Sequence, residues 1–397
     1  MRRADPALQG IVLPVVLTLA IQILASLAVF TPPVLAPEAA PEMGVAAAGV
    51  GIVTSLIYLS AAAAALTSGG FIVRFGPMRV SQGSLILVAA GIALIAVGHV
   101  AAAVLGAILI GLGYGPVTPS SSAVLNERTP DRWRAMIFSV KQTGVPIGGA
   151  IAGAMVPAMM ALAGWRTAAL VVTVGSIVLA ILVQPWRAAA DAGRDRSRRL
   201  LDVRLREPLR IMWTRPPLRE LAFASFAYSG MQMCLGSYLV VHLVESAGRG
   251  VVFAGAAMSA AMAGGVIGRI FWGVVADRAV PPRRLLGALG VGMTLASFVI
   301  GFVDHDWPAV AIFALAFVFG ATAVGWNGVY ISEVGRIVPR DQAAAVTGAV
   351  FSMTYLGVFI SPLAIWLVVS LGFGYGAGFV LVGLLTLWRA SFFFRRA

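Results

Sequence analysis

The sequence predicts an all-α membrane protein of twelve transmembrane helices in two pseudo-symmetric halves of six. Three observations carry that prediction. The 397 residues are 59% hydrophobic and only 11% charged, with a mean hydropathy of +0.92, whereas a soluble chain carries about a quarter charged residues. Apolar runs recur from end to end, each long enough for a hydrocarbon core about 30 Å thick. They lack the alternating ten-residue pattern of a membrane barrel. Finally, short patterns from the first half return in the second at nearly constant spacing.

The apolar runs lie at approximately 9–31, 46–67, 80–98, 102–124, 137–160, 167–186, 218–241, 250–275, 285–303, 308–331, 344–368 and 374–389. The first is longer than the 7–15-residue core typical of a signal peptide, so it reads as a retained helix. With the N-terminus inside, 25 of the 29 Lys and Arg fall on the cytoplasmic side. This places both termini in the cytoplasm and the chain in an inner (cytoplasmic) membrane. The net charge of +13 therefore follows topology, and the partner it implies is a lipid bilayer rather than nucleic acid.

In chain order, span one carries Gln22 and leads into a proline-rich loop, TPPVLAPEAAPE. Span two ends in SGGFIVRFGPMRV, a basic loop containing Arg74. Span four holds GLGYGPVTPSSSAVL, where Tyr114, Pro116, Thr118 and Pro119 mark a softened helix of the kind that lines a cavity. Span five begins FSVKQTGVPIGG and contains Lys141, whose stem could also snorkel to the interface. Trp165 and Arg166 anchor the start of span six. Residues 187–217 hold nine Arg and four acids, a basic linker with room for an amphipathic surface helix. The expected division is 1–186, a linker at 187–217, and 218–397.

The halves echo one another. Gly69 and Arg74 correspond to Gly273 and Arg278, Gly111 and Pro130 to Gly320 and Pro339, and Phe138–Gly144 to Phe351–Gly357. Gln22 matches Gln232 more weakly. A duplicated six-helix unit joined by a basic linker is the layout of a transporter with two rocking halves.

In span eight, Gly265, Arg269, Gly273 and Asp277 recur every four residues and share one helix face. Arg269 lies roughly 12 Å along the axis from Asp277, which puts a permanent charge deep in the membrane, where it usually has a function. All sixteen acids sit in loops or near span ends, so no mid-membrane carboxylate answers Arg269 or Lys141. A buried charge needs a partner, and a substrate anion is an economical one; the alternative for Arg269 is a structural arginine that snorkels or pairs with a helix end. Lys141, unlike arginine, can also release its proton when buried, which makes it a candidate coupling group. Gln22, Tyr114, Thr118, Tyr228, Gln232, Tyr238, Trp326, Asn327, Tyr330 and Tyr355 are polar or aromatic groups within spans that could complete a cavity.

Other chemistry finds no support. The histidines, His99, His242 and His305, are scattered, and Cys234 is the only cysteine. No nucleotide-binding glycine motif or catalytic constellation is present. Neither an enzyme nor a bound cofactor is expected.

These residues resemble the major facilitator superfamily over essentially the whole chain. The family's loop motif, approximately G-x-L-A-D-R-x-G-R, is matched by Gly273-Val-Val-Ala-Asp277-Arg278. The copy between spans two and three keeps Gly69, Arg74 and Gly76 but has Val73 in place of the acid and Pro77 in place of a basic residue. The resemblance implies an inner latch between halves at Gly273, Asp277, Arg278 and Arg74, with Asp277 bearing most of it. Gly268-Arg269-x3-Gly273-x3-Asp277 is similar to span eight of monocarboxylate and oxalate:formate transporters, which implies that Arg269 binds a substrate carboxylate. Gly144-Val-Pro146-Ile-Gly148-Gly149 is close to the span-five motif of antiporters, although it also suits tight helix packing. The expected function is secondary transport of a small mono- or dicarboxylate by alternating access, with a coupling proton or counter-anion, in a monomer. Efflux of amphipathic compounds and a non-transporting sensor are the alternatives. The expected binding residues are Arg269, Lys141, Gln22, Gln232, Asn327, Tyr355, Tyr114, Tyr228 and Tyr330.

Overall fold

A computed structural model describes residues 6–126, 129, 137–138, 140–197, 199–200, 206–337 and 343–395. Its long helices are α1 (Pro6–Glu42), α2 (Val50–Phe75), α3 (Pro77–Ala96), α4 (Val100–Tyr114), α5 (Val117–Asn126), α6 (Gly144–Leu182), α7 (Arg206–Thr214), α8 (Pro216–Glu245), α9 (Val251–Arg278), α10 (Pro282–Gly301), α11 (Ala309–Ala323), α12 (Asn327–Ile337), α13 (Ala343–Ser370) and α14 (Gly374–Arg395). Among the described residues no strand occurs, and ten helical segments are long and apolar enough to cross a membrane.

Two features bring those ten to twelve crossings. The segment Val140–Ala190 runs 51 residues, but Gly164 interrupts α6 with φ 79° and ψ 164°. At that break Trp165 Nε1 and Arg166 Nη1 each approach the Glu42 carboxylate to 2.6 Å, whereas Gln184 lies back beside Gln82 at 2.8 Å. The chain has crossed and returned. Helix α8 makes the other crossing. Its polar residues, among them Ser225, Ser229 and Ser237, are buried in the bundle, which lowers its apolarity without exposing polar groups to lipid.

The proline-rich stretch expected as a loop is helical instead, and α1 continues through Pro32, Pro33, Pro37 and Pro41 to Glu42. Membrane helices tolerate proline where neighbours enclose the backbone. Here Val34 and Leu35 are at most 1% exposed, so packing overrides local propensity. Spans four and ten are both broken, at Gly115–Pro116 and at Val324–Trp326, positions that correspond under the internal repeat.

The end of the bundle bearing Glu42 and Ser246 is called the far end here, and the end bearing the α2–α3 and α9–α10 turns the basic end. Hydrogen bonds join the halves from the far end inward. Tyr238 donates to the Ala48 carbonyl at 3.2 Å, Ser237 to Thr54 at 3.1 Å, Ser55 to the Phe359 carbonyl at 2.7 Å and Ser259 to the Ala150 carbonyl at 2.8 Å. Helices α6 and α9 meet backbone to backbone: a Cβ built on Gly153 would lie 2.5 Å from the Gly255 carbonyl oxygen. At the basic end, Gly69 and Gly273 face open space.

The first described part of the linker, 187–197, is docked on the α2–α3 turn. Asp191, just after α6, accepts from the Met78 amide at 2.8 Å and the Arg79 amide at 3.2 Å, satisfying first-turn donors of α3 that have no helical partner. Gly76 turns into that helix at φ 96°, and a Cβ there would strike the Asp191 side chain. The Asp195 amide donates to the Val73 carbonyl at 2.8 Å. Burial raises the Asp191 carboxyl above its ordinary value, while the two amide bonds oppose the shift. In α7, Met212 is fully buried while Trp213 is exposed and packs edge-on against Phe223 at 5.7 Å, as an amphipathic surface helix requires.

Candidate functional site

The site begins at Arg269, two-thirds of the way along α9. Its Nη1 donates across the halves to the Gln142 carbonyl at 2.7 Å and its Nε to the Val324 carbonyl at 3.2 Å. Val324 lies in the break between α11 and α12, where carbonyls lack their helical partners. Trp272, one turn on, donates to the Ala321 carbonyl of the same region at 2.8 Å. The break in span ten thus supplies acceptors for two side chains of α9.

Lys141 comes from the opposite half and is only 1% exposed. Its Nζ donates to Thr118 Oγ1 at 3.2 Å and to Gln142 Oε1 at 3.3 Å. It points inward rather than snorkelling. Both intramembrane cations therefore converge on Gln142, one on its side chain and the other on its backbone. Among the described residues, neither is paired with a carboxylate.

A polar chain leads away from Lys141. Thr118 donates to Gln22 Oε1 at 3.3 Å, and Gln22 Nε2 donates to Ser26 at 3.2 Å. The Tyr114 phenol lies beside Ser26, Gln22 and Tyr58, and within electrostatic range of Arg269. The Tyr58 and Tyr114 rings meet edge-on at 5.9 Å, and Tyr355 completes a trio of phenols. A second polar group adjoins the span-ten break, where Gln232 Oε1 accepts from Trp326 Nε1 at 3.2 Å and Asn327 Nδ2 at 3.1 Å. These groups can hold and orient an anion through charge and hydrogen bonds. Among the described residues, no cluster of His, Cys, Asp and Glu could ligate a metal.

The expected binding residues thus divide. Arg269, Lys141, Gln22, Tyr114 and Tyr355 come together, with Gln232 and Asn327 beside the α11–α12 break. Tyr228 packs edge-on against Trp326 at 5.6 Å and gives its hydroxyl to the Leu286 carbonyl at 2.8 Å. Tyr330 packs on Trp326 at 5.1 Å and sits beside Ser225. Both belong to the packing of the second half. Of the expected latch, Arg74 is half-buried, Arg278 is exposed and Gly273 faces open space; the Asp277 side chain lies outside the described residues. The glycines after Thr143 serve packing, since a Cβ on Gly148 would meet the Ile23 carbonyl at 2.4 Å and one on Gly149 would meet Met262 at 3.0 Å.

Three contributors escaped sequence reading. Ser26 lies one turn beyond Gln22, a spacing that could have revealed it. Tyr58 had no signal beyond its depth in span two, and Gln142 contributes a backbone carbonyl, which no side-chain pattern reports.

The profile of the Major Facilitator Superfamily matches residues 18–362. The chain is 24% identical over 295 residues to the gentisate transporter of Corynebacterium glutamicum, covering 71% of this chain and 64% of that protein. It is 23% identical over 292 residues to the hexuronate transporter of Bacillus subtilis, covering 70% and 68% respectively. In three dimensions it is similar to the crystal structure of a POT family transporter in complex with 5-aminolevulinic acid, with a TM-score of 0.77 at 11% identity, covering 96% of this chain and 95% of that one.

Proposed function

The chain belongs to the Major Facilitator Superfamily, and on that premise we propose that it carries a small organic acid, as its carboxylate, through a central site that opens alternately to either side. The convergence of Arg269 and Lys141 on Gln142 carries this reading. Two cations from opposite halves, with no described carboxylate beside them, are charges that a substrate anion would answer. An anion bridging them would favour whichever state holds the halves together around it, which is how differential affinity becomes a conformational change. The two named relatives support the substrate class, because both handle organic acids. The tyrosine trio and the amides of Gln22, Gln232 and Asn327 add donors for the acid's remaining oxygens. The basic end would face the cytoplasm, with Asp277 and Arg278 forming the latch there when the site opens to the far side.

Uptake of radiolabelled carboxylates into proteoliposomes tests the proposal. Arg269→Ala is expected to lower the rate by about a hundredfold or more, matching the loss of a charge-assisted contact in a desolvated site. Its thermal stability in detergent should stay near that of the wild type. Normal uptake by this variant would sink the anion-site reading.

A further inference from the structure

A basic cavity lies away from the central site, at the end of the bundle bearing the α2–α3 turn. A cavity of about 340 Å³ is lined there by Arg74, Phe75, Arg79, Arg187, Arg194 and Arg196. Five of its six lining residues are arginines, and they come from four places in the chain: the end of α2, the start of α3, the turn after α6 and the docked linker. A positive-inside bias accounts for basic loops, but it does not by itself gather five guanidinium groups around one hollow.

The gathering has a specific cause. Asp191, held by the α3 amides, fixes the turn carrying Arg187 and Arg194 against the α2–α3 turn carrying Arg74 and Arg79. The Asp195 amide on Val73 sets Arg196 beside them. Asp191 gives its two oxygens to backbone donors and lies within electrostatic range of Arg187 and Arg194, one carboxylate among five guanidinium groups. The related turn of the second half differs: the cavity lined by Arg283, Arg284 and Arg336 also contains Glu333, and Arg283 pairs with Glu220 at 2.5 Å.

We propose that the cavity in the first half binds the phosphodiester headgroup of an anionic phospholipid. Guanidinium forks match phosphate oxygens in pairs, which favours phosphate over a single carboxylate. The location selects the lipid over free phosphate. The cavity lies between the end of one candidate span at Phe75 and the start of the next at Pro77. Phe75 is 43% exposed, Val73 42%, and Trp186, next to Arg187, 39%. Phe75 lines the cavity itself, and these exposed apolar side chains offer surface to acyl chains while the headgroup enters among the arginines. A basic pocket between membrane helices is the setting in which such headgroups are recognised.

Native mass spectrometry of the full-length protein, titrated with phosphatidylglycerol, phosphatidylethanolamine or inorganic phosphate, separates the possibilities. Phosphatidylglycerol should bind in preference to phosphatidylethanolamine, and inorganic phosphate at millimolar concentration should not displace it. Arg79→Gln and Arg187→Gln should each weaken that binding about fivefold, while Arg284→Gln, the same charge loss in the second half, leaves it unchanged. Arg196→Gln, in the exposed linker, stands in if either first variant fails to fold. Equal loss from Arg284→Gln would overturn the proposal in favour of diffuse attraction. Displacement by phosphate would reassign the cavity to a soluble anion, and lack of preference for phosphatidylglycerol would remove the site altogether. Arg269→Ala should leave lipid binding intact, so the two anion sites can fail independently.

Discussion

At the start of α10, Arg283 reaches the Glu220 carboxylate at 2.5 Å, whereas at the start of α3 the carboxylate of Asp191 is taken by backbone amides. The two turns are related by the internal repeat, both begin with proline, and both adjoin an arginine-lined hollow. The second half neutralises its arginines locally. In the first, the acid builds the turn through the α3 amides while lying within electrostatic range of Arg187 and Arg194, and five arginines line a single hollow. The polar site around Gln142 shows the same divergence. Each half contributes one deep cation, but Lys141 is almost wholly buried among neutral oxygens while Arg269 spans the gap between halves. Duplication has preserved the backbone plan, and the chemistry has separated.

The sharpest way to test that separation is to remove the two deep cations one at a time. Arg269 bonds carbonyls on two different elements through two nitrogens, a geometry lysine cannot reproduce. Arg269→Lys is therefore expected to fail almost as completely as Arg269→Ala. Lys141→Met keeps the volume and loses a charge held by only two neutral acceptors, so uptake should fall less, by about tenfold. If Lys141 carries the coupling proton, Lys141→Met should retain counterflow while losing accumulation driven by a pH gradient. Equal losses at both positions in every assay would mean that the cations act as one interchangeable field.

The contrast between these residues also shows how far the sequence could be read. The all-helical class, the run of membrane-length helices and the place of Arg269 inside one of them followed from hydropathy and spacing. Packing partners did not. The inward turn of Lys141 depends on Thr118, twenty-three residues away, and on the neighbouring Gln142, and hydropathy cannot choose between snorkelling and burial. Tyr228 and Tyr330 looked like cavity groups because they are polar and deep, yet the hydroxyl of Tyr228 is spent on Leu286 and Tyr330 packs on Trp326. Asp191 was invisible as a cap because its amides lie 112 and 113 residues earlier. Loss of the acid at Val73 was legible, but where a replacement would come from was not.

The far-end seal offers a smaller but more directional effect. A side chain at Gly153 would collide with the Gly255 carbonyl, and overpacking of this kind typically costs about 1–3 kcal/mol. Because the contact joins the halves, the cost falls mainly on the state closed at that end. Gly153→Val should open the seam and slow uptake about tenfold. A reporter cysteine at Ser259, which bonds the Ala150 carbonyl in the same seam, should then react faster with a membrane-impermeant maleimide. The native Cys234 is buried and contributes little background. Unchanged labelling would show that the seam is held elsewhere, with Tyr238 and Ser55 the next contacts to test.

The mildest effect belongs to Asp191 and concerns pH. Burial raises its carboxyl above the ordinary value despite the two amide bonds, so near its titration the folded chain holds this proton more tightly than the unfolded chain does. The resulting stability is fully present below the unfolded value and lost as pH rises through the folded one. Asp191→Asn keeps one of the two acceptor oxygens, for the shorter bond from the Met78 amide, and cannot titrate. Thermal unfolding of both proteins between about pH 4 and pH 7 should show the wild type losing ground to Asp191→Asn as the pH increases. The variant should also weaken phosphatidylglycerol binding less than Arg79→Gln, because its turn persists. If the wild type instead gained ground with rising pH, the amides would be favouring the ionised carboxylate over its burial cost. The α3 cap would then be a charged one, unlike the neutralised turn at Arg283.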